Sequence, residues 1–354
     1  MTSRVSLSVL NRQHWERPGD PERLGCTACF DRQVCGGIRP GVDVFSCRDY
    51  CCGNPEACSR ICDRKPAEFI ERQREINGWL LDNIPRFEER KSSNLPSVLP
   101  ELYHSSRRID LLHTKAVAVP LSAIVGRNAA RCAYLSKAAL FDRLRVAPRA
   151  ALVIDCIGRD RLIENFWANR RVANLIRDLA RLRPAWVIVP NYSIITDVPR
   201  WENLHAMKRI AIVWAELMDE GLPAVLTLNA RTDRDWERWT EFALARPELH
   251  AVAVELGTGA RYADRRAFML PRLRALGLAT NGRLRLFMRG GRSHRPLVAD
   301  AFSSVHLIDT NSFMKAVHRQ HVVSEVGRLS SKRTWTLAGQ PIEHILQGNV
   351  QASL

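Results

Sequence analysis

From residue 98 onward, short apolar runs alternate with longer stretches in which apolar residues recur every three or four positions. The runs are Val98–Leu99, Ala116–Val119, Ala151–Ile157, Trp186–Val189, Ala224–Leu228, Ala251–Leu256, Leu284–Met288 and Val305–Ile308. They do not alternate in polarity, so they predict strands buried on both faces, as parallel strands are. The intervening stretches predict helices: Asp160–Leu182, Trp201–Glu220 stopped by Gly221, and Thr232–Leu244 opened by a capping pattern. Ala267–Leu276, stopped by Gly277, and Asn311–Val326, stopped by Gly327, complete the set. An earlier amphipathic stretch, Ala67–Ile84, follows Pro66, which suits a first helical position. Seven or eight strand–helix units over about 250 residues is the size of a (β/α)8 barrel, with a doubly wound open sheet as the alternative. The chain then divides into a Cys-rich module over 1–65, a helix and connector over 66–100, a barrel-like α/β domain over 101–330 and a C-terminal tail over 331–354.

In either architecture ligands bind at the carboxyl ends of the strands, and the residues there are unusually polar. Asp155, Glu255 and Asp309 end apolar runs and are candidates for general base, nucleophile or stabiliser of a developing cation. Asn191, Ser193, Asn229 and Asn311 offer neutral hydrogen bonds, and Arg231, Arg289 and Lys315 offer cations for phosphate or carboxylate. Gly257 and Thr258, within Gly257-Thr258-Gly259, and the pair Gly290-Gly291 present backbone N–H groups suited to an anion. The same residue types also cap helices and form turns, the plainer role for Asp160, Asp197, Thr232 and Asn311. No G-x-G-x-x-G turn, Walker A loop, HExxH pair or G-x-S-x-G elbow occurs. His318 and His321 are expected on the surface of one helix, and Cys156 as a buried apolar filler.

Eight of the ten cysteines crowd into 37 residues: Cys26, Cys29, Cys35, Cys47, Cys51, Cys52, Cys58 and Cys62. With no signal-peptide pattern and no apolar stretch of membrane length, a cytoplasmic, membrane-free chain with reduced thiols is expected, and a dense Cys block there binds metal. Either an iron–sulfur cluster of the 4Fe–4S type or zinc fits thiolate ligands. The spacing Cys26-x2-Cys29-x5-Cys35-Gly36-Gly37 resembles the start of the SPASM segment, the auxiliary iron–sulfur element of some radical enzymes. Arg39 stands where that element continues with another Cys, and the Cys-x3-Cys-x2-Cys triad of radical SAM enzymes is absent, with Asn54 in its third place.

Charge adds a partner. The formal net charge is +16, and 46 of the 53 basic residues are Arg. By count, residues 101–150 carry +6 and 251–300 carry +7, whereas 201–250 carry −3. Such patches suit nucleic acid, DNA or RNA, although an Arg-rich solvated surface has the same composition.

Val189-Pro190-Asn191-Tyr192-Ser193 with Asp197-Val198-Pro199-Arg200-Trp201, and then Gly257-Thr258-Gly259, resembles an uncharacterised α/β family of bacterial, phage and plasmid genomes over about residues 185–260. The resemblance implies a shared α/β core and a setting in mobile genetic elements, and no particular activity. The order strand, Gly-Gly turn, strand, Asp309-Thr310-Asn311 is also similar to the late barrel of tRNA-guanine transglycosylases. Those enzymes carry their zinc cysteines after this region, whereas here the block is N-terminal. Together these features lead to an expected metal-containing enzyme of nucleic acids or nucleotides, with base or nucleoside modification favoured. The alternatives are a non-catalytic nucleic-acid-binding protein with a structural metal module, and an iron–sulfur redox enzyme acting on a small molecule.

Overall fold

A computed structural model describes residues 66–89, 93–106, 108–126, 128–194, 200–257, 262–325, 328–337 and 339–353. All eight clustered cysteines lie outside the described residues.

Eight parallel strands form one sheet: β1 (Val98–Pro100), β2 (Ala116–Pro120), β3 (Ala151–Asp155), β4 (Trp186–Ile188), β5 (Ala224–Thr227), β6 (Ala251–Glu255), β7 (Arg285–Arg289) and β8 (Ser304–Asp309). Their order is β1-β8-β7-β6-β5-β4-β3-β2. The two ends meet: Glu101 bridges Ala118 in parallel register, and the Leu102 N–H donates to the Ala118 carbonyl at 2.9 Å. The architecture is therefore (β/α)8-barrel-like rather than an open sheet, and each apolar run supplies one strand.

The chain divides into two compact units. All eight strands belong to the unit made of 86–191, 213–228 and 247–354. Its helices include α2 (Leu121–Val125), α3 (Lys137–Leu144), α4 (Asp160–Asn169) and α5 (Leu175–Arg181). The unbroken helical pattern over 160–182 is thus split, with Asn174 at φ 52° between the two pieces. The other unit takes 66–85, 192–194, 200–212 and 229–246. It holds α1 (Pro66–Glu75), most of α6 (Arg200–Asp219) and α7 (Asp233–Leu244), the last opened by a Thr232–Asp235 capping box. Within it, cations tie the chain that follows α1. Arg238 donates to the Trp79 carbonyl at 2.7 Å, Arg246 to that of Ile84 at 2.9 Å, and the buried Lys208 to Leu80 O and Asn83 Oδ1.

Back in the barrel unit, α8 (Ala263–Ala279) follows β6 and carries Pro271 inside it. After β8 come α9 (Asn311–Val317), an antiparallel hairpin of β9 (Gln320–Glu325) and β10 (Arg328–Arg333), and α10 (Glu343–Ser353). The expected helix over 311–326 is therefore only half correct. Arg319 turns left-handed at φ 56°, and Val322 and Val323 join a strand, where β-branched side chains pack well. His318 ends the helix and His321 lies in β9, so the two do not share a helix surface. The Asn349 side chain seals the edge of β9, accepting from Val322 N–H at 2.7 Å and donating to the Gln320 carbonyl at 3.0 Å.

Inside the barrel, small and large side chains interdigitate. Ala116, Ala118, Ala251 and Ala253 leave space that Trp186 and Phe287 fill, their rings 5.7 Å apart. Leu99, Val153, Ile188, Val225 and Ile308 complete this buried cluster. The amino-terminal end is stoppered by the 93–97 segment. The Trp186 indole and the Arg285 guanidinium both donate to the Ser93 carbonyl, and His306 bonds the Pro96 carbonyl at 2.9 Å.

Candidate active site

The strand period of two carries the interior pattern upward. Two residues beyond Leu99, Val153, Ala253 and Phe287 come Glu101, Asp155, Glu255 and Arg289. A polar layer thus caps the apolar lumen at the carboxyl end of the barrel. The layer closes around Arg289. Its Nε donates to Asp155 Oδ2 at 2.9 Å, although β7 and β3 stand four places apart in the ring of eight. Its Nη2 donates to Glu101 Oε2 at 3.0 Å and reaches the Tyr103 hydroxyl at 3.4 Å, and Nη1 lies 3.9 Å from Glu255 Oε1. Tyr103 donates a short hydrogen bond to the same Glu101 Oε2. Asp155 Oδ1 accepts the Ile157 N–H at 2.9 Å, and Glu255 Oε1 accepts that of Gly257 at 2.7 Å. A Cβ on Gly257 would lie 2.9 Å from that oxygen, so a larger residue there would displace the Glu255 carboxylate.

Glu101 and Asp155 are fully buried, while Arg289 and Glu255 keep 18% and 10% of their side chains exposed. One guanidinium thus faces two buried carboxyls and a third nearby. The remaining oxygen of Glu101, Oε1, is buried with no donor facing it. Asp155, bound to the same guanidinium, is its neighbouring carboxyl. A proton shared by the two carboxyls would give that oxygen a partner and relieve the repulsion of two buried charges. Burial first, then the Asp155 charge, pushes Glu101 up to about 8, against the pull of Arg289. Burial also raises Asp155, opposed mainly by Arg289. Burial and the Glu101 charge keep the Tyr103 hydroxyl well above its ordinary range. Both carboxyls are therefore held toward their protonated forms, a protonated Glu101 beside an Asp155 carboxylate being the arrangement the raised Glu101 favours. This is the arrangement that lets adjacent carboxyls serve as donor and acceptor together.

Of the sequence candidates, the structure brings Asp155, Glu255, Gly257 and Arg289 to this cluster. Asp309 is elsewhere: it follows lumen-facing Ile308 by one residue and so points out of the barrel. There it accepts from Asn311 N–H at 3.0 Å and from the Ser312 N–H and hydroxyl, capping α9. Asn191 accepts the Gly158 N–H at 3.0 Å, Asn311 is exposed, and Lys315 is half-buried in α9. Ser193, Asn229 and Arg231 belong to the other unit. There Asn229 donates to the Tyr192 carbonyl and Arg231 to that of Ile194. Thr258 lies outside the described residues. Glu101 and Tyr103 are the members that sequence reasoning missed. The signal was an acid directly after an apolar run, the same one that marked Asp155 and Glu255, but Val98–Leu99 is a very short run.

Several cations of the basic stretches are engaged within the fold. Arg108 donates to the Leu144 and Arg145 carbonyls, and Lys137 to that of Ala150. Arg283 donates to Leu249 O, Arg292 to Ser353 O, and Arg274 pairs with Asp300. Among the described residues no group of three or more His, Cys, Asp or Glu side chains is placed to hold a metal, and no helix is long and apolar enough to cross a membrane. No protein-family model and no curated protein matches the chain.

Proposed function

We propose that the chain is an acid–base enzyme working at the carboxyl end of its barrel, and that its substrate is a nucleic acid or a nucleotide-derived molecule altered at the base or nucleoside. The observation that carries this reading is the buried Glu101–Asp155 pair held on the single Arg289 guanidinium, an arrangement in which the two acids can share one proton. A neutral acid and a carboxylate side by side present a donor and an acceptor, which matches the edge of a heterocyclic base. The excess of carboxyls over cations in the layer disfavours phosphate at its centre. A base is therefore the part of a nucleotide that suits the site, with the +16 chain holding the phosphates outside it. In this reading Glu101 donates a proton to a ring nitrogen or leaving group, and Asp155 accepts one or stabilises developing positive charge. Arg289 holds both carboxyls in register, and Tyr103 fixes Glu101. The eight N-terminal cysteines are proposed to bind an iron–sulfur cluster or zinc in a separate supporting role.

The test is direct. Full-length protein is incubated with nucleosides, nucleotides, RNA and DNA, and the products are analysed by mass spectrometry, with Asp155→Asn protein as the blank. A mass change made by the wild type and lost in the variant supports the reading. Identical products from both proteins, or no change in any substrate, overturns it.

A further inference from the structure

Trp335 is 82% exposed and Leu337 62%, in a chain whose other described tryptophans are largely buried. Isolated apolar residues at a surface are ordinary, but a nearly bare indole beside cations on an ordered loop is a recognition feature. The loop is pinned on both sides. The Thr334 N–H donates to the Arg319 carbonyl at 2.8 Å. Beyond the tryptophan, a turn joins Leu337 and Gln340 through the Leu337 N–H to Gln340 Oε1 and the Gln340 N–H to Leu337 O. Arg319 adds bonds to the Gln340 and Pro341 carbonyls. The hairpin is held in turn by Asn349 of α10. Lys332 and Arg333, both exposed, stand three and two residues before Trp335, after exposed Ser330 and Ser331. Residues 328–337 contain three basic side chains and no acidic one.

We infer that the β10 strand and the loop after it form a contact surface for single-stranded nucleic acid, with Trp335 stacking on a base and Lys332 and Arg333 meeting the backbone. Aromatic faces accept any base, and neighbouring cations track the phosphates, so this pairing gives sequence-tolerant binding. The inference rests on the nucleic-acid reading of the function and relocates its contact surface. Arg108, Arg283, Arg285 and Arg292 of the two basic stretches donate to carbonyls of the fold, and Lys332 and Arg333 of this hairpin are exposed. Geometry also connects it to the acid pair: α10, which anchors the hairpin, is bound at its far end by Arg292, three residues past Arg289.

The experiment is fluorescence anisotropy of labelled oligo(dT) and oligo(U), each about 12 nucleotides long. They are titrated with full-length wild type, Trp335→Ala, and the Lys332→Ala/Arg333→Ala double variant over a range of salt. The expected result is wild-type binding, weakened about 5- to 150-fold by Trp335→Ala, the loss of one stacked base. The double variant should lower the slope of log K against log salt by about 1.4, for two phosphate contacts to a single strand. Wild-type binding that Trp335→Ala leaves unchanged overturns this surface and spares the broader reading. No wild-type binding to either oligonucleotide counts against both. A change of sedimentation from oligomer to monomer in Trp335→Ala, with binding unaltered, assigns the indole to self-association and likewise overturns the proposal. Trp335 is too exposed for its loss to unfold the chain, which a thermal melt of each variant checks.

Discussion

Replacing Arg289 with Met removes the guanidinium and leaves most of the stem volume. Asp155 and Glu101 lose their shared cation while remaining buried, and among the described residues Tyr103 is the side chain left donating to Glu101 Oε2. Breaking a buried ion pair from one side costs about 3–5 kcal/mol, because a desolvated charge is stranded. The pair can relieve that cost by taking a second proton, since losing Arg289 removes the influence that lowers both carboxyls. A carboxyl whose folded pKa is raised holds its proton at a pH where the unfolded chain has released it, so stability is lost as pH rises. Each extra proton held by the folded variant tilts the difference from wild type by about 1.4 kcal/mol per pH unit. The loss should therefore be about 4 kcal/mol at pH 8 and about 1–2 kcal/mol at pH 6. Urea denaturation at the two pH values measures it. Amide exchange at Leu102 and Ile157, whose N–H groups bond Ala118 O and Asp155 Oδ1, reports on the barrel itself. Adding Asp155→Asn to the variant should recover more than half of the loss at pH 8. An equal loss at both pH values, or one below about 1 kcal/mol at pH 8, would refute the shared-proton account.

Other predictions follow the same physics. Glu101→Gln removes the group that titrates near 8 instead of its ordinary 4.5. Wild-type stability should therefore fall relative to the variant by up to about 1.4 kcal/mol per pH unit between those values, and parallel pH profiles would contradict this. Asn349→Ala opens the edge of β9 and leaves the Val322 N–H and Gln320 carbonyl unsatisfied. It should cost about 2–4 kcal/mol and raise amide exchange in the hairpin first; unchanged exchange at Val322 would show that the edge is held otherwise. Anaerobically purified chain should carry either iron with acid-labile sulfide or zinc, in proportion to protein and lost on replacing Cys26 and Cys29 by Ser. Protein with neither metal would contradict a metal-binding module.

The strands were legible because a strand buried on both faces is an uninterrupted apolar run, and a run of five such as Ala116–Pro120 has few other readings. What escaped was set by parity and local breaks. Asp309 ends its run as Asp155 does, but one residue decides whether a side chain enters the lumen or leaves it, and register is a property of the assembled barrel. Glu101 escaped because three residues, Val98–Pro100, suffice for β1 once β8 pairs with it. The division of α4 from α5 and the end of α9 hang on single left-handed residues, Asn174 and Arg319, that no helical period reveals. The paired carboxyls were readable as separate strand ends. Their shared cation was not, because Arg289 comes 134 positions after Asp155 in the chain.

The central claim is that Glu101 and Asp155 share a proton at neutral pH, and carboxyl-carbon NMR of protein labelled in its Glu and Asp side chains tests it most directly. Across a pH titration the account predicts one Glu carboxyl that stays protonated through neutral pH and loses its proton near 8, and that disappears from the spectrum in Glu101→Gln. A spectrum in which every carboxyl has ionised in the ordinary acidic range would contradict it.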